Sequence, residues 1–392
     1  MPEKENAISL YFHIPFCTAK CGYCDFNSYA LQNLIDREQV DSKHWASQYT
    51  DALIIEIKNR VEELHLSKRK VQSIFFGGGT PSLFPPEEIQ RILEASNESF
   101  DLISHPEISL EANPNSSDYN LFKNLKKIGI NRLSFGIQSF NDKLLKNLDR
   151  IHSGKQAKNA FYLAKEAGFE NISIDLMFGI PFQTKEIANS DIQTAVNLNP
   201  KHISAYELTI EPGTSFHALH MKGKLNGLIS ESLSLEMWEM RDEILHNSGY
   251  EQYEISNFAK SGFKCKHNLN YWKRGDYLGI GAGAHSLIEN QRIWNHLRPD
   301  TYIKNSQSPT AGKEKIKDEK KILGESLMLG LRLKEGLSLS ELKEKTGLDT
   351  EILFKKSFED FYKNKLLIKD KEKLKLTKKG MLLSNQIFTS LL

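Results

Sequence analysis

Apolar and polar positions divide the first half of the chain into short runs that alternate with longer amphipathic segments. The short runs, rich in β-branched and aromatic residues, are Ile8–His13, Val71–Phe76, Glu107–Glu111, Asn131–Phe135, Asn171–Asp175 and His202–Glu207. The amphipathic segments between them are Trp45–Leu64, Pro86–Ser99, Asp118–Lys127, Asp142–Asn147, Lys155–Ala167 and Glu186–Leu198. Strands and helices alternating at this spacing predict parallel β/α units. Six units, with no pattern for two more, predict an α/β fold whose first domain, residues 1–235, is a partial (βα)6 barrel.

The pattern changes from about residue 316. Helical periodicity at Glu319–Leu331, Ser338–Thr346 and Asp349–Asn364 is followed by two short runs, Leu366–Ile368 and Lys373–Leu376. Three helices and a two-stranded wing predict a winged-helix-like α+β domain over residues 316–392, joined to the barrel by a connecting region at 236–315. Residues 361–380 carry eight lysines against two acidic residues. A solvated face is favoured there, with nucleic acid or an anionic membrane surface as the alternatives.

Composition narrows the protein class only slightly. The chain has 392 residues, of which 39% are hydrophobic and 26% charged, as in an ordinary globular protein. No apolar run approaches a membrane span, and Met1–Asn6 show no apolar core of a signal peptide. The net charge of +2 gives no global electrostatic case for nucleic acid. Four cysteines with one isolated, Cys265, do not make a disulfide framework, which indicates the reducing cytosol.

The most specific chemical signal is the cysteine triplet Cys17, Cys21 and Cys24. Thiolates hold iron–sulfur clusters, and a cluster of four irons normally takes four of them. A triplet therefore leaves one iron open to an exogenous ligand, as in catalytic metal sites. The alternatives are three unconnected thiols, or a zinc site completed by His13 or His44.

Polar residues and glycines follow nearly every predicted strand. After the cysteine loop come Gly77-Gly78-Gly79-Thr80-Pro81, Glu111, Gln138, Asp175 and Glu207. In β/α barrels the chemistry lies at the carboxyl ends of the strands. The positions predict one shared pocket, although each alone is equally typical of a helix cap or a turn.

These motifs together resemble a known superfamily. C-x3-C-x2-C with Tyr23 before the last cysteine is similar to the radical S-adenosylmethionine (SAM) signature. With Gly-Gly-Gly-Thr-Pro, Arg132-Leu-Ser-Phe-Gly-Ile-Gln138-Ser and Asp175-Leu-Met-Phe-Gly-Ile-Pro181, the chain resembles the anaerobic coproporphyrinogen III dehydrogenase superfamily from about residue 8 onward. The resemblance implies a [4Fe–4S] cluster on the three cysteines. It also implies SAM contacts from Tyr11, Tyr23, Gly78, Gly79, Thr80, Glu111, Gln138, Arg150 and Asp175.

Two features separate the branches of that superfamily. The dehydrogenases carry a fourth cysteine where this chain has Phe26, and a longer segment before the triplet. The short N-terminus and Phe26 resemble the HemW branch of heme chaperones. His267-Asn268-Leu-Asn-Tyr271 is similar to that branch's heme-binding motif, which implies His267 as the heme ligand beside Tyr271. Cys265 and His285 are the alternative ligands, and a packed core histidine is the alternative interpretation.

The resemblance thus implies a cytosolic protein that binds heme and transfers it to an acceptor protein, with a cluster and SAM as further cofactors. A coproporphyrinogen III dehydrogenase is the second hypothesis, and a winged-helix nucleic-acid-binding protein ranks far behind. SAM cleavage, the identity of the acceptor, a homodimer and peripheral membrane contact stay open at this point.

Overall fold

A computed structural model describes residues 7–67 and 69–391. The prediction about Met1–Asn6 lies outside these residues. The strands are β1 Ala7–Ile14, β2 Phe16–Cys17, β3 Tyr29–Ala30, β4 Lys70–Gly78, β5 Asp101–Ala112, β6 Arg132–Gln138, β7 Asn171–Phe178, β8 His202–Glu207, β9 Glu251–Gln252, β10 Asn257–Ala259, β11 Tyr277–Ile280, β12 His285–Ile288, β13 Gln291–Asn295, β14 Thr310–Lys315, β15 Leu337–Ser338, β16 Leu367–Asp370 and β17 Lys373–Leu376.

Helices fill the connections between these strands. They are α1 Leu31–Asp36, α2 Trp45–Glu63, α3 Pro86–Ser99, α4 Tyr119–Lys127, α5 Asp142–Asn147, α6 Gly154–Glu166, α7 Lys185–Leu198, α8 Ser215–Met221, α9 Glu231–Asn247, α10 Lys266–Trp272, α11 Pro299–Lys304, α12 Glu319–Gly330, α13 Leu339–Thr346, α14 Thr350–Leu353, α15 Lys355–Lys363, α16 Lys378–Leu382 and α17 Ser384–Thr389. Among the described residues, no helix is long and apolar enough to cross a membrane.

The six predicted strands form the parallel centre of the main sheet, which confirms the predicted α/β class. Its strand order is β14-β13-β12-β11-β1-β4-β5-β6-β7-β8-β10-β9, and the six neighbours from β1 and β4 to β8 pair in parallel. The sheet also continues beyond both edges of the six. Strand β11 adds in parallel to β1, and β12 to β14 follow antiparallel. The connecting region therefore extends the sheet at both edges of the barrel strands.

Alternation along each strand separates an apolar outside from a polar inside. In β1, Ile8, Leu10 and Phe12 are fully buried in the main hydrophobic core, whereas Ser9 and His13 occupy the alternating positions. Successive side chains of a strand point to opposite faces, so the polar set faces the barrel interior. The barrel interior can therefore bind polar ligands.

The C-terminal residues share a second hydrophobic core with Phe178, Ala188, Met237 and Trp238. They also form a small sheet of three strands, β15-β17-β16, instead of the expected two-stranded wing. The short strand β15 was not predicted because Leu337–Ser338 has too few residues to show alternation. This unit is joined to the connecting region by buried charges. Glu325 of α12 pairs with Arg274 at 2.9 Å and with Arg292 at 3.0 Å.

Candidate functional site

A cavity of about 450 Å³ opens at the carboxyl ends of the barrel strands, a size within the usual range for cofactor and substrate sites. The predicted site residues that line it are Cys17, Cys21, Tyr23, Cys24, Gly78, Gly79, Thr80, Glu111, Gln138, Arg150 and Asp175. These positions are spread over 159 residues of sequence, from 17 to 175. The parallel strand order gathers them because the carboxyl ends of parallel strands meet at one edge.

The cysteine loop is held at the cavity mouth. Strand β2 pairs with β3, which closes the loop containing the triplet. Cys17 is buried, and Cys21 and Cys24 are partly exposed to the cavity. Burial raises the pKa of Cys17 and Cys24, so a metal that binds there must displace protons.

Hydrogen-bond donors surround the three sulfurs. Thr80 Oγ1 donates to Cys17 Sγ at 3.5 Å, and Arg150 Nη1 lies 3.6 Å from Cys21 Sγ. Ser28 Oγ lies 3.7 Å from Cys24 Sγ. Donors and a nearby cation stabilise thiolates, so the chemistry of this set fits an anionic iron–sulfur cluster.

Neither His13 nor His44, the fourth ligands considered for a zinc site, lines the cavity beside the triplet. The His13 imidazole contacts the Tyr11 hydroxyl and the carbonyl of Asn27, and it does not line the cavity. His44 is exposed and pairs with Asp41.

The glycine loop needs its glycines for steric reasons. Gly78 has φ +114°, and a Cβ there would lie 2.5 Å from the His13 ring. A Cβ on Gly79 would lie 2.6 Å from the carbonyl oxygen of Phe16. The bare backbone therefore lies against the cysteine loop, and a ligand can approach it closely.

Two carboxylates face the cavity beyond this loop. Gly78 N donates to Glu111 Oε2 at 3.1 Å, and Ser134 Oγ donates to Asp175 Oδ1 at 3.2 Å. Burial, with a further contribution from Asp175, raises the pKa of Glu111 to about 7. Burial raises the pKa of Asp175 to about 6. An incoming ammonium or hydroxyl group would compensate the cost of holding these charges in the interior.

Gln138 and Arg150 also line the cavity. Gln138 ends β6 with φ +70°, a strained geometry for a residue with a side chain, and its Oε1 accepts from the Tyr206 hydroxyl at 2.8 Å. Arg150 Nη2 donates to the carbonyl of Gly136. Arg150 is thus held between β6 and the cysteine loop, where it can pair with a ligand carboxylate.

Three predicted site residues lie behind the cavity wall: Tyr11, His267 and Tyr271. His267 is 1% exposed, with Nδ1 3.1 Å from Ser73 Oγ and Nε2 3.0 Å from the Tyr271 hydroxyl. Phe75 stacks on the imidazole at 5.0 Å, and Phe75 is the residue that lines the cavity. Burial lowers the pKa of His267 to about 3, so the imidazole is neutral.

The two alternative heme ligands differ in accessibility. Cys265 is fully buried beside Glu107, and burial raises its pKa to about 12, which disfavours the thiolate. His285 is exposed and stacks on Trp294 at 6.2 Å, away from the cavity. From the motif helix α10, Asn268 is the residue that lines the cavity.

Sequence reasoning missed a band of cavity residues below the strand ends: Arg132, Ser134, Ser173, His202, Ser204, Tyr206, Asn257 and Asn268. His202 repeats the environment of His267, since its two ring nitrogens lie 2.8 Å from Ser173 Oγ and 2.9 Å from the Tyr253 hydroxyl. The available signal was polar residues at every second position of otherwise apolar strands, as in Arg132, Ser134 and Gln138.

Comparisons with known proteins identify chains similar to this one. Family models for the radical SAM superfamily and the HemN C-terminal domain match residues 11–193 and 318–383. The heme chaperone HemW of Haemophilus influenzae is 37% identical over 390 residues, covering 97% of this chain and 96% of its own. Its Bacillus subtilis counterpart is 38% identical, covering 98% and 99%. The fold matches coproporphyrinogen III oxidase (HemN) from Escherichia coli, a radical SAM enzyme, with TM-score 0.82 at 24% identity over 99% and 90% of the two chains.

Proposed function

Because this chain belongs to the heme chaperone HemW family of radical SAM proteins, we propose that it binds heme and transfers it to an acceptor protein. The observation that carries this proposal is the end-to-end similarity to proteins named heme chaperone, at 37% and 38% identity. The likeness to the coproporphyrinogen III oxidase is one of fold, at 24% identity.

Cys17, Cys21 and Cys24 hold a [4Fe–4S] cluster in this proposal, and SAM occupies the cavity beside it. When bound, the cluster supplies an open iron position that SAM can chelate. Gly78 to Thr80 receive the methionine end of SAM, and Glu111 accepts from its ammonium group. Arg150 pairs with its carboxylate, and Asp175 accepts hydrogen bonds from the adenosyl portion. The contacts and burial described above support this arrangement.

His267 is the proposed axial ligand of heme, and its hydrogen bonds favour the tautomer required. Ser73 Oγ donates its proton to Ser9 Oγ at 2.8 Å, so it presents a lone pair to His267 Nδ1. The imidazole proton then lies on Nδ1, and Nε2 carries the free electron pair. Iron binds such a neutral nitrogen while the other nitrogen keeps its hydrogen bond.

Heme ligation requires Nε2 to be released from its present partner. The Tyr271 hydroxyl donates to Nε2 at 3.0 Å, and the Phe75 ring separates the imidazole from the cavity. Iron therefore has to replace the tyrosine hydrogen bond, and Phe75 has to rotate. Removing the Tyr271 hydroxyl should make Nε2 easier to reach.

The partner and compartment follow from the same proposal. We place the protein in the cytosol with an acceptor of heme as its partner; a homodimer and a peripheral membrane contact are further predictions. Several lysines of segment 361–380 already pair with carboxylates, as Lys369 does with Glu351 and Lys375 with Asp370, both at 2.7 Å. These pairs support a solvated face there.

One preparation tests the proposal. The protein is purified anaerobically with reconstituted cluster and titrated with heme, and the same sample is incubated with SAM, reductant and coproporphyrinogen III. We expect heme binding with a Soret shift and no protoporphyrinogen IX. Formation of protoporphyrinogen IX would favour the dehydrogenase hypothesis instead.

Variants assign the ligands. His267→Ala should alter the Soret band, and Tyr271→Phe should bind heme up to about tenfold more tightly, the value of one hydrogen bond. His152→Ala, which removes another buried histidine outside the cavity, is the matched control. An unchanged spectrum in His267→Ala would remove His267 as the ligand. Replacing a cysteine of the triplet by Ala should abolish the cluster absorption, whereas Cys265→Ala should keep it.

A further inference from the structure

The guanidinium of Arg132 is buried at the bottom of the cavity without a partner. Arg132 is 2% exposed and lines the cavity, and its Nε is buried with no acceptor. Among the described residues, neither a hydrogen bond nor an ion pair is found for this side chain. A buried charge normally costs several kcal/mol unless it is paired, so this arrangement is unusual for a structural arginine.

The two carboxylates near Arg132 are occupied by other donors. Glu107 accepts from the backbone N–H groups of Lys266 and His267, both at 3.1 Å, and so caps helix α10. Asp175 accepts from Ser134 and from Ser173. Both influence Arg132 electrostatically, but neither lies within ion-pair distance. The guanidinium donors remain available to a ligand.

A second cavity-lining side chain without a partner comes from α10, whose first turn is capped by Glu107, one of the groups that act electrostatically on Arg132. Asn268 of α10 lines the cavity, and its side-chain amide has no hydrogen-bond partner among the residues that the structure describes. Arg132 begins β6 and Gln138 ends it. Arg150 donates to the carbonyl of Gly136, which lies four residues along β6 from Arg132, or roughly 13 Å of strand. Arg132 thus lies deeper along β6 than Arg150 and the proposed site of the SAM carboxylate.

We propose that Arg132 and Asn268 form a carboxylate-binding subsite at the floor of the cavity. A guanidinium presents two parallel N–H donors that match the two oxygens of a carboxylate, and the amide of Asn268 supplies a further donor. The carboxylate belongs either to a propionate arm of a porphyrin or to a free small organic acid. Binding of a porphyrin propionate rests on the proposed heme function, whereas binding of a free organic acid does not.

The experiment compares four probes on the wild type and on Arg132→Met, Arg132→Lys and Asn268→Ala. The probes are heme, heme dimethyl ester, sodium propionate and SAM, each titrated into cluster-loaded protein. We expect Arg132→Met to lose roughly ten- to a hundredfold in affinity for heme or for propionate, and Asn268→Ala to lose about three- to tenfold. Binding of the dimethyl ester should be unchanged.

The pattern identifies the source. Weaker binding of heme, but not of its ester, indicates a porphyrin propionate. Weaker binding of propionate alone indicates a small organic acid. The propionate titration remains informative if the protein binds no heme at all. Equal affinities of wild type and Arg132→Met for both heme and propionate, with SAM binding retained, would overturn the subsite.

Thermal unfolding without ligand provides a second readout. Nearby Cys265, Glu107 and Asp175 hold the pKa of Arg132 above its usual value despite its burial, so methionine removes a charge that the folded protein favours. We expect the melting temperature of ligand-free Arg132→Met to fall below that of the wild type, so the ligand affinities must be read beside it. A lower melting temperature with unchanged heme and propionate affinities would assign Arg132 a structural role and overturn the proposal.

Discussion

Replacing Glu111 by glutamine should stabilise the ligand-free protein, and it should do so more at high pH. Burial raises the pKa of Glu111 from 4.5 to about 7 in the folded protein. The folded state therefore binds this proton more tightly than the unfolded state does. Stability is gained as the pH falls from about 7 toward 4.5 and is lost as the pH rises through that window.

The magnitude follows from the shift. One pKa step corresponds to about 1.4 kcal/mol, so the ionised carboxylate lowers the free energy of unfolding by about 3 kcal/mol near pH 8. Near pH 5 the cost falls to about 1 kcal/mol. Glutamine retains an oxygen that can accept from Gly78 N, so the change removes the charge and keeps the hydrogen bond. Glu111→Gln should therefore gain about 3 kcal/mol at pH 8 and about 1 kcal/mol at pH 5.

Urea unfolding of cluster-free protein between pH 5 and pH 8 measures this difference. Glu98→Gln, the same substitution on the exposed surface of α3, is the control. The same Glu111→Gln variant, loaded with cluster, should bind SAM at least about tenfold more weakly, because a charge-assisted hydrogen bond is lost. A variant equally or less stable than the wild type at pH 8 would refute the reasoning.

Two further predictions concern packing. Gly78→Ala should weaken SAM binding, and it should lower the free energy of unfolding by more than the roughly 1 kcal/mol expected from positive φ alone. Gly129 also has a positive φ, +107°, but a Cβ there would have nothing within 4 Å. Gly129→Ala therefore measures the cost of positive φ alone in urea unfolding. Equal losses in the two variants would contradict the steric argument. Glu325→Ala should cost about 3–5 kcal/mol and expose the C-terminal residues to proteolysis, because it leaves the buried Arg274 unpaired. Glu335→Ala removes only the exposed ion pair with Lys273, so it should lower the free energy of unfolding by at most about 1 kcal/mol. Similar proteolysis of the Glu325 and Glu335 variants would contradict the proposed importance of the buried Glu325–Arg274 pair.

The sequence by itself determined the order of elements and the chemistry at the cavity mouth. Alternation in runs such as Asn171–Asp175 and periodicity in segments such as Pro86–Ser99 are local properties, and both appear as strand and helix at those positions. The cysteine triplet and Gly78 are equally local. Three thiols at this spacing suit a cluster, and only glycine suits φ +114° against the His13 ring.

The tertiary structure decided which polar residues line the cavity and which are buried behind its lining. His267 and Asn268 are neighbours in sequence, yet α10 buries the histidine behind Phe75 and turns the asparagine into the cavity. Arg132 begins a strand, where sequence alone indicates no ligand, and the barrel places it at the cavity floor. A side chain's burial and partners depend on residues distant in sequence, such as Ser73 and Tyr271 around His267. Local pattern carries no information about those neighbours, so only the assembled barrel could reveal the unpaired guanidinium.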